Sequence, residues 1–268
     1  MPEIHVAAIL IFVIFAGRFL ESVIGFGGTV VALPILAVLT PSLPIHTLVP
    51  VLALGNIVCC TGIVWVGRKD IVWREYLTIF VYATIGLPIG FLAASYAPEV
   101  VLRFILGVFV VIIAFAGIIK NHRRPPEGRA SDGPLMRLYL RAVLVMGGII
   151  HGIFTTGGPL LVIYAARALR TKGLFRVTLG LVWLTLNLIM VAGWLLNSQI
   201  PAQAWTLAGL TVPFIILAVF VGDHFHHRLP EATFRKVTYV VLCVAGLLLL
   251  YKSLPYIINS LMGAAMAA

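Results

Sequence analysis

Apolar runs of about 20 residues, enough to carry a helix across a hydrocarbon core roughly 30 Å thick, follow one another along this chain with little polar sequence between them. They occupy residues 4–24, 45–66, 76–97, 100–119, 138–154, 174–196, 204–222 and 237–254. Lipid offers no partner to a free N–H or C=O, so only helical bundles and closed barrels span it. Continuous apolar runs without alternation specify helices. With 61% hydrophobic and 10% charged residues in 268, a soluble globular domain is excluded. The chain therefore reads as an all-α, multi-pass membrane protein. Its first run has Glu3 before it, no basic stretch, and Arg18 and Glu21 inside it, so we expect a retained span rather than a cleaved signal peptide.

The formal charge of +10 is not spread evenly. Sixteen of the 19 Lys and Arg fall in four regions, around 68–74, 120–141, 167–176 and 228–236, whereas the turns TPSLPIH, SYAPE and NSQIPAQ contain none. The positive-inside rule places the four basic regions in the cytoplasm. No aromatic interleaving or soluble module accompanies the charge, so no nucleic-acid partner is expected. Parity then makes the region 138–166 begin and end inside, while 4–39 begins and ends outside. Each must fold back on itself, and both chain ends are expected to be periplasmic.

Both regions contain a glycine break: GFGGTVVALP from Gly25 to Pro34, and HGIFTTGGPLLVIY from His151 to Tyr164. The breaks are matched at an offset of about 130 residues, Gly27-Gly28 with Gly157-Gly158. Asn56 likewise matches Asn187, Pro98-Glu99 matches Pro230-Glu231, and Arg103 matches Arg235. We read two inverted-topology repeats, residues 1–120 and 135–268, joined by a cytoplasmic linker at 121–134. Each repeat is a broken helical hairpin plus three transmembrane helices, about ten helical segments in all.

Broken helices inside a bilayer must line a cavity or pack against protein. A half-helix beginning at Gly28-Thr29, and another beginning after Thr155-Thr156-Gly157-Gly158 with Pro159 in its first turn, would present N–H groups, positive dipole ends and threonine hydroxyls near mid-bilayer. That chemistry suits a small anion. The competing reading is close helix packing through small residues. Asn56 and Asn187 could bond either the ligand or a neighbouring helix. Arg18 and Glu21 stand one turn apart and form either a local neutral pair or part of a coupling site. Glu21 and His151 are 130 residues apart, each just before a break, so either is a candidate proton carrier. Cys59, Cys60 and Cys243 lie in apolar runs without metal spacing and read as packing residues. His46 reads as interfacial, and the HFHH run at 224–227 as a solvated loop. No metal or cofactor is expected.

In size, two-half organisation and the motifs GFGGTVVALP and TTGGPLLVIYA, the chain resembles the sulfite exporter TauE/SafE family over nearly its whole length. The resemblance implies transport of sulfite, sulfoacetate or related organosulfonates across the bacterial inner membrane. Thr29 and Thr156 interrupt the fuller glycine run of relatives, and Tyr164 stands where the first half has Pro34, which bears on pocket shape.

Two other functions compete. A membrane lipid phosphatase would need an acidic pair and a serine/arginine phosphate loop beside the breaks, and intramembrane proteases need Gly-x-Ser with His, paired Asp or HExxH. None of these occurs, so an enzyme is not expected. An anion channel is separated from a carrier only by flux. The favoured expectation is a proton-coupled secondary transporter, one half rocking against the other around the anion, with the oligomeric state open between monomer and homodimer.

Overall fold

A computed structural model describes residues 4–120, 133–169, 171–225, 240, 242–256 and 258. All regular structure among them is helical: α1 (Ile4–Ile24), α2 (Gly28–Leu39), α3 (Ile45–Gly67), a 3-10 turn (Arg68–Asp70), α4 (Trp73–Tyr96), α5 (Glu99–Lys120), α6 (Pro134–Phe154), α7 (Gly158–Ala168), α8 (Lys172–Leu196), α9 (Ala202–Phe225) and α10 (Leu242–Tyr256). Seven of these, α1, α3 to α6, α8 and α9, are long and apolar enough to cross a membrane. The short helices α2 and α7 follow the two glycine breaks. Residues 121–132, most of the expected linker, lie outside the described residues, as do His226, His227, Glu231 and Arg235.

Side chains tie the end of α2 and the starts of α3 and α8. In the turn after α2, Glu99 at the start of α5 accepts the Ile45 N–H at 2.8 Å, capping α3, and it pairs with Arg103 one turn on. Arg103 donates in turn to the carbonyls of Ala37 and Leu43. One Pro-Glu-x-x-x-Arg start thus closes both the end of α2 and the start of α3, satisfying groups a helix terminus leaves open. Thr171 caps α8 through the Leu174 N–H.

The packing does not follow the order of the chain. The most extensive pairings are α4 against α6 and α1 against α9, each joining a helix before the linker to one after it. The helices α1, α2, α3 and α9 form one bundle, and α4, α6, α7 and α8 the other, with α3 on α8 as the broad contact between them. Bodies that correspond to the two sequence halves are therefore not what the packing delineates. Contact between α4 and α6 is backbone to backbone: a Cβ added at Gly86, Gly90, Gly148 or Gly152 would lie 2.0–2.2 Å from a carbonyl oxygen of the facing helix. Both helices carry Gly-x-x-x-Gly, the pattern that lets membrane helices approach closely.

Candidate functional site

The first break turns through two left-handed residues, Gly25 and Gly27, at φ +96° and +98°. A side chain there would strain the backbone, so glycine is required. Gly28 then opens α2 directly against α1, where an added Cβ would meet Glu21 Oε2 at 2.5 Å and the Gly17 carbonyl at 2.8 Å. The hairpin is thus closed around a buried ion pair. Arg18, 1% exposed, donates to Glu21, to Thr29 Oγ1 at 3.2 Å and to the Leu52 carbonyl at 2.6 Å. The other Glu21 oxygen accepts from Asn56 Nδ2 at 2.8 Å. Arg18 and Glu21 therefore neutralise each other, and Thr29 and Asn56 complete the set.

Asn56, the central residue of α3, accepts in its turn from Asn187 Nδ2 at 3.0 Å. Asn187 also donates to the Trp183 carbonyl at 2.8 Å, which fixes its amide orientation and leaves Oδ1 buried without a partner. The matched asparagines bond to one another across the α3/α8 contact. A continuous chain of polar groups runs from Arg18 through Glu21 and Asn56 to Asn187.

The second break is built differently. Thr155 takes the left-handed position, φ 53° and ψ 25°, with its N–H bonded to the His151 carbonyl at 2.7 Å. A β-branched residue in this region is an outlier. His151 Nδ1 and Nε2, Thr155 Oγ1 and Thr156 Oγ1 are all buried with no protein partner. Buried polar atoms left in this state are costly and call for an explanation. Gly157 packs on the Gly147 carbonyl, a close-approach glycine, whereas a Cβ at Gly158 would meet only Val30 and the Trp183 ring at ordinary contact, 3.8 Å.

Trp183 joins the two breaks. Its Nε1–H donates to the Gly25 carbonyl at 3.2 Å, and its ring stacks on His151 with centroids 5.9 Å apart and planes 14° from parallel. The start of α7 approaches Val30 of α2 across the same ring. The expected residues thus form two connected groups: Arg18, Glu21, Gly27, Gly28, Thr29, Asn56 and Asn187 in one, and His151, Thr155, Thr156, Gly157 and Gly158 in the other. Trp183 itself escapes a reading of motifs. Its signal is position, because it lies mid-span, whereas membrane tryptophans concentrate at the interfaces. Arg176 is also missed. Counted with the basic loop, it is buried, donates to Asp223 at 2.7 Å and Ser22 at 3.3 Å, and abuts Gly25. Among the described residues no cluster of metal-ligating side chains is found.

Among the described residues, seven helices long and apolar enough to span, packed around a buried polar centre with two helix breaks, define a multi-pass integral membrane protein. The family described as sulfite exporter TauE/SafE matches residues 9–249, and the chain belongs to that family. A relative from Cupriavidus necator, described as a probable sulfite/organosulfonate exporter TauE, is 23% identical over 239 residues, covering 86% of this chain and 88% of its own. No solved structure matches the chain.

Proposed function

We propose that the protein is a secondary transporter that moves a small sulfur oxyanion, sulfite or an organosulfonate, out through the bacterial inner membrane, with the anion held at the second break. The observation that carries this reading is the set of buried, unpartnered polar atoms on His151, Thr155 and Thr156. An oxyanion accepts hydrogen bonds from hydroxyls and from an imidazole N–H, and the first turn of α7 adds its positive dipole end. The first break offers no such vacancy in its bonding, since Arg18, Glu21, Thr29 and Asn56 engage each other. It supports the second break from behind, through Asn187 and Trp183. The relative's description supports the sulfur-anion class and the outward direction.

Two inverted repeats with alternating access are part of this reading. The matched positions Asn56 and Asn187 bond to one another, and the pairing of α4 with α6 is the counterpart of the pairing of α9 with α1 when the chain is shifted by half its length. Of the two candidate proton carriers we assign coupling to His151. Both oxygens of Glu21 are committed to Arg18 and Asn56, whereas both ring nitrogens of His151 are uncommitted. A protonated His151 beside a monoanion makes a neutral pair, which lowers the cost of burying either charge.

Flux of radiolabelled sulfite and of a taurine-derived sulfonate into proteoliposomes, with and without a pH gradient, tests the proposal. Saturable, gradient-driven uptake is expected. The Thr156→Val variant should lose about tenfold or more in apparent affinity, the equivalent of one hydrogen bond to a charged group. Non-saturating passive flux would make the protein a channel. Wild-type affinity in Thr156→Val together with His151→Gln would remove the anion from the second break.

A further inference from the structure

Residues of α4 and α6 from the two basic regions around 68–74 and 120–141, with Tyr164 of α7, line a cavity of about 430 Å³. Three arginines ring it: Arg74 in the first turn of α4, and Arg137 and Arg141 one turn apart on α6. The Arg141 guanidinium lies over the Tyr82 ring, 5.5 Å from its centroid, so its position is fixed by the wall of the cavity. From the side of α7, Tyr164 closes the back, its hydroxyl bonded to Glu75 at 2.9 Å. Along the same face of α4, one and two turns beyond Arg74, the lining is apolar, Leu77 and Val81, and both residues are more than half exposed. They start a row of exposed side chains that continues along α4 through Ile85, Ile89 and Leu92 at helical spacing. In a spanning helix such a row faces hydrocarbon.

We propose that this cavity is a binding site for the headgroup of an anionic phospholipid, its phosphodiester held by Arg74 and Arg141 and one acyl chain lying along the Leu77-to-Leu92 row of α4. A volume of several hundred Å³ accommodates a small polar group with room for glycerol. Arginine suits phosphate geometry, and basic pockets between helices at the cytoplasmic interface are where anionic headgroups sit. The apolar wall decides between a lipid and a free anion. A site for a dissolved ion needs no apolar wall, whereas here exposed Leu77 and Val81 of the lining continue into the lipid-facing row of α4. The site lies apart from the helix breaks and does not depend on the transport reading.

Native mass spectrometry of the purified full chain, with phosphatidylglycerol and phosphatidylcholine of identical acyl chains, reads the outcome. Wild type should retain phosphatidylglycerol preferentially. Arg74→Gln with Arg141→Gln should weaken that retention about twenty-five-fold, about fivefold per arginine removed, without changing phosphatidylcholine. Arg74→Lys with Arg141→Lys should keep most of it, and millimolar inorganic phosphate should not displace the lipid. If the double glutamine variant does not run as a single species on gel filtration, Arg74→Gln alone, at an exposed position, should show the fivefold loss. Equal retention of the two lipids by wild type, unchanged retention in the glutamine variants, or full displacement by inorganic phosphate would each overturn the proposal, the last by making the cavity an aqueous anion site.

Discussion

Thr155 occupies a backbone conformation that costs an L-residue about 1–2 kcal/mol, more than the extra chain entropy that glycine would lose there. The matched residue in the first break is Gly25, which adopts the same left-handed turn without penalty. Strain of this kind persists where a side chain is wanted for something other than stability. Thr155→Gly should therefore raise the melting temperature of the anion-free protein, by up to about 1 kcal/mol of stability, while weakening sulfite binding. A thermal-shift titration reads both, and sulfite binding left unchanged or tightened would show that the Thr155 hydroxyl has no part in it. Glu21 presents the opposite case. Glu21→Gln leaves Arg18 buried without its counter-charge, a change that costs about 3–5 kcal/mol. The folded yield in detergent should fall sharply, and Arg18→Leu with Glu21→Leu should recover most of it, because replacing both members removes the uncompensated charge. Spacing alone allows a local pair or a coupling site for these two residues. The bond from Asn56 to the second Glu21 oxygen is what commits the carboxylate, and an offset in sequence does not reveal it.

At the scale of helices, hydropathy and glycine placement mark most of what forms. The breaks at Gly25 to Gly28 and Thr155 to Gly158 stand where α1 passes to α2 and α6 to α7. The matched asparagines do meet. What hydropathy does not encode is lateral order, because one apolar span resembles another to the bilayer and any two could be neighbours. The partner of α4 follows instead from its backbone-depth contact with α6, and the signal for it is the Gly-x-x-x-Gly at Gly86 and Gly90 facing that at Gly148 and Gly152. The two helices touch where side chains are absent, so any added side chain must push backbones apart. Gly148→Leu should cost at least the 1–3 kcal/mol typical of overpacking and abolish a monodisperse gel-filtration peak. Gly158→Ala, where the new methyl meets only ordinary contacts, should leave the peak intact.

For the whole molecule, the exchange of α4 and α9 between the halves builds two bundles that meet at the α3/α8 contact. Under the proposed alternating access, motion crosses the α3/α8 contact while α3 and α9 travel together. Two designed disulfides distinguish these roles in a background lacking the native cysteines. A Cβ at Gly180 lies 3.8 Å from that of Ile63, across the bundle boundary, and a Cβ at Gly62 lies 4.0 Å from that of Val219, within one bundle. Both separations fit a disulfide. Ile63→Cys with Gly180→Cys should stop sulfite flux until a reductant is added, and Gly62→Cys with Val219→Cys should leave flux unchanged. Flux that survives the first bridge would place the moving boundary elsewhere. The inequality of the two breaks has a further consequence. At the first, Arg18, Glu21, Thr29 and Asn56 hold one another, so a substitution there propagates into the architecture. At the second, the side-chain polar atoms of His151, Thr155 and Thr156 bond to no other protein group, so under the proposed anion site cargo preference would drift through them over generations while the scaffold stays as it is.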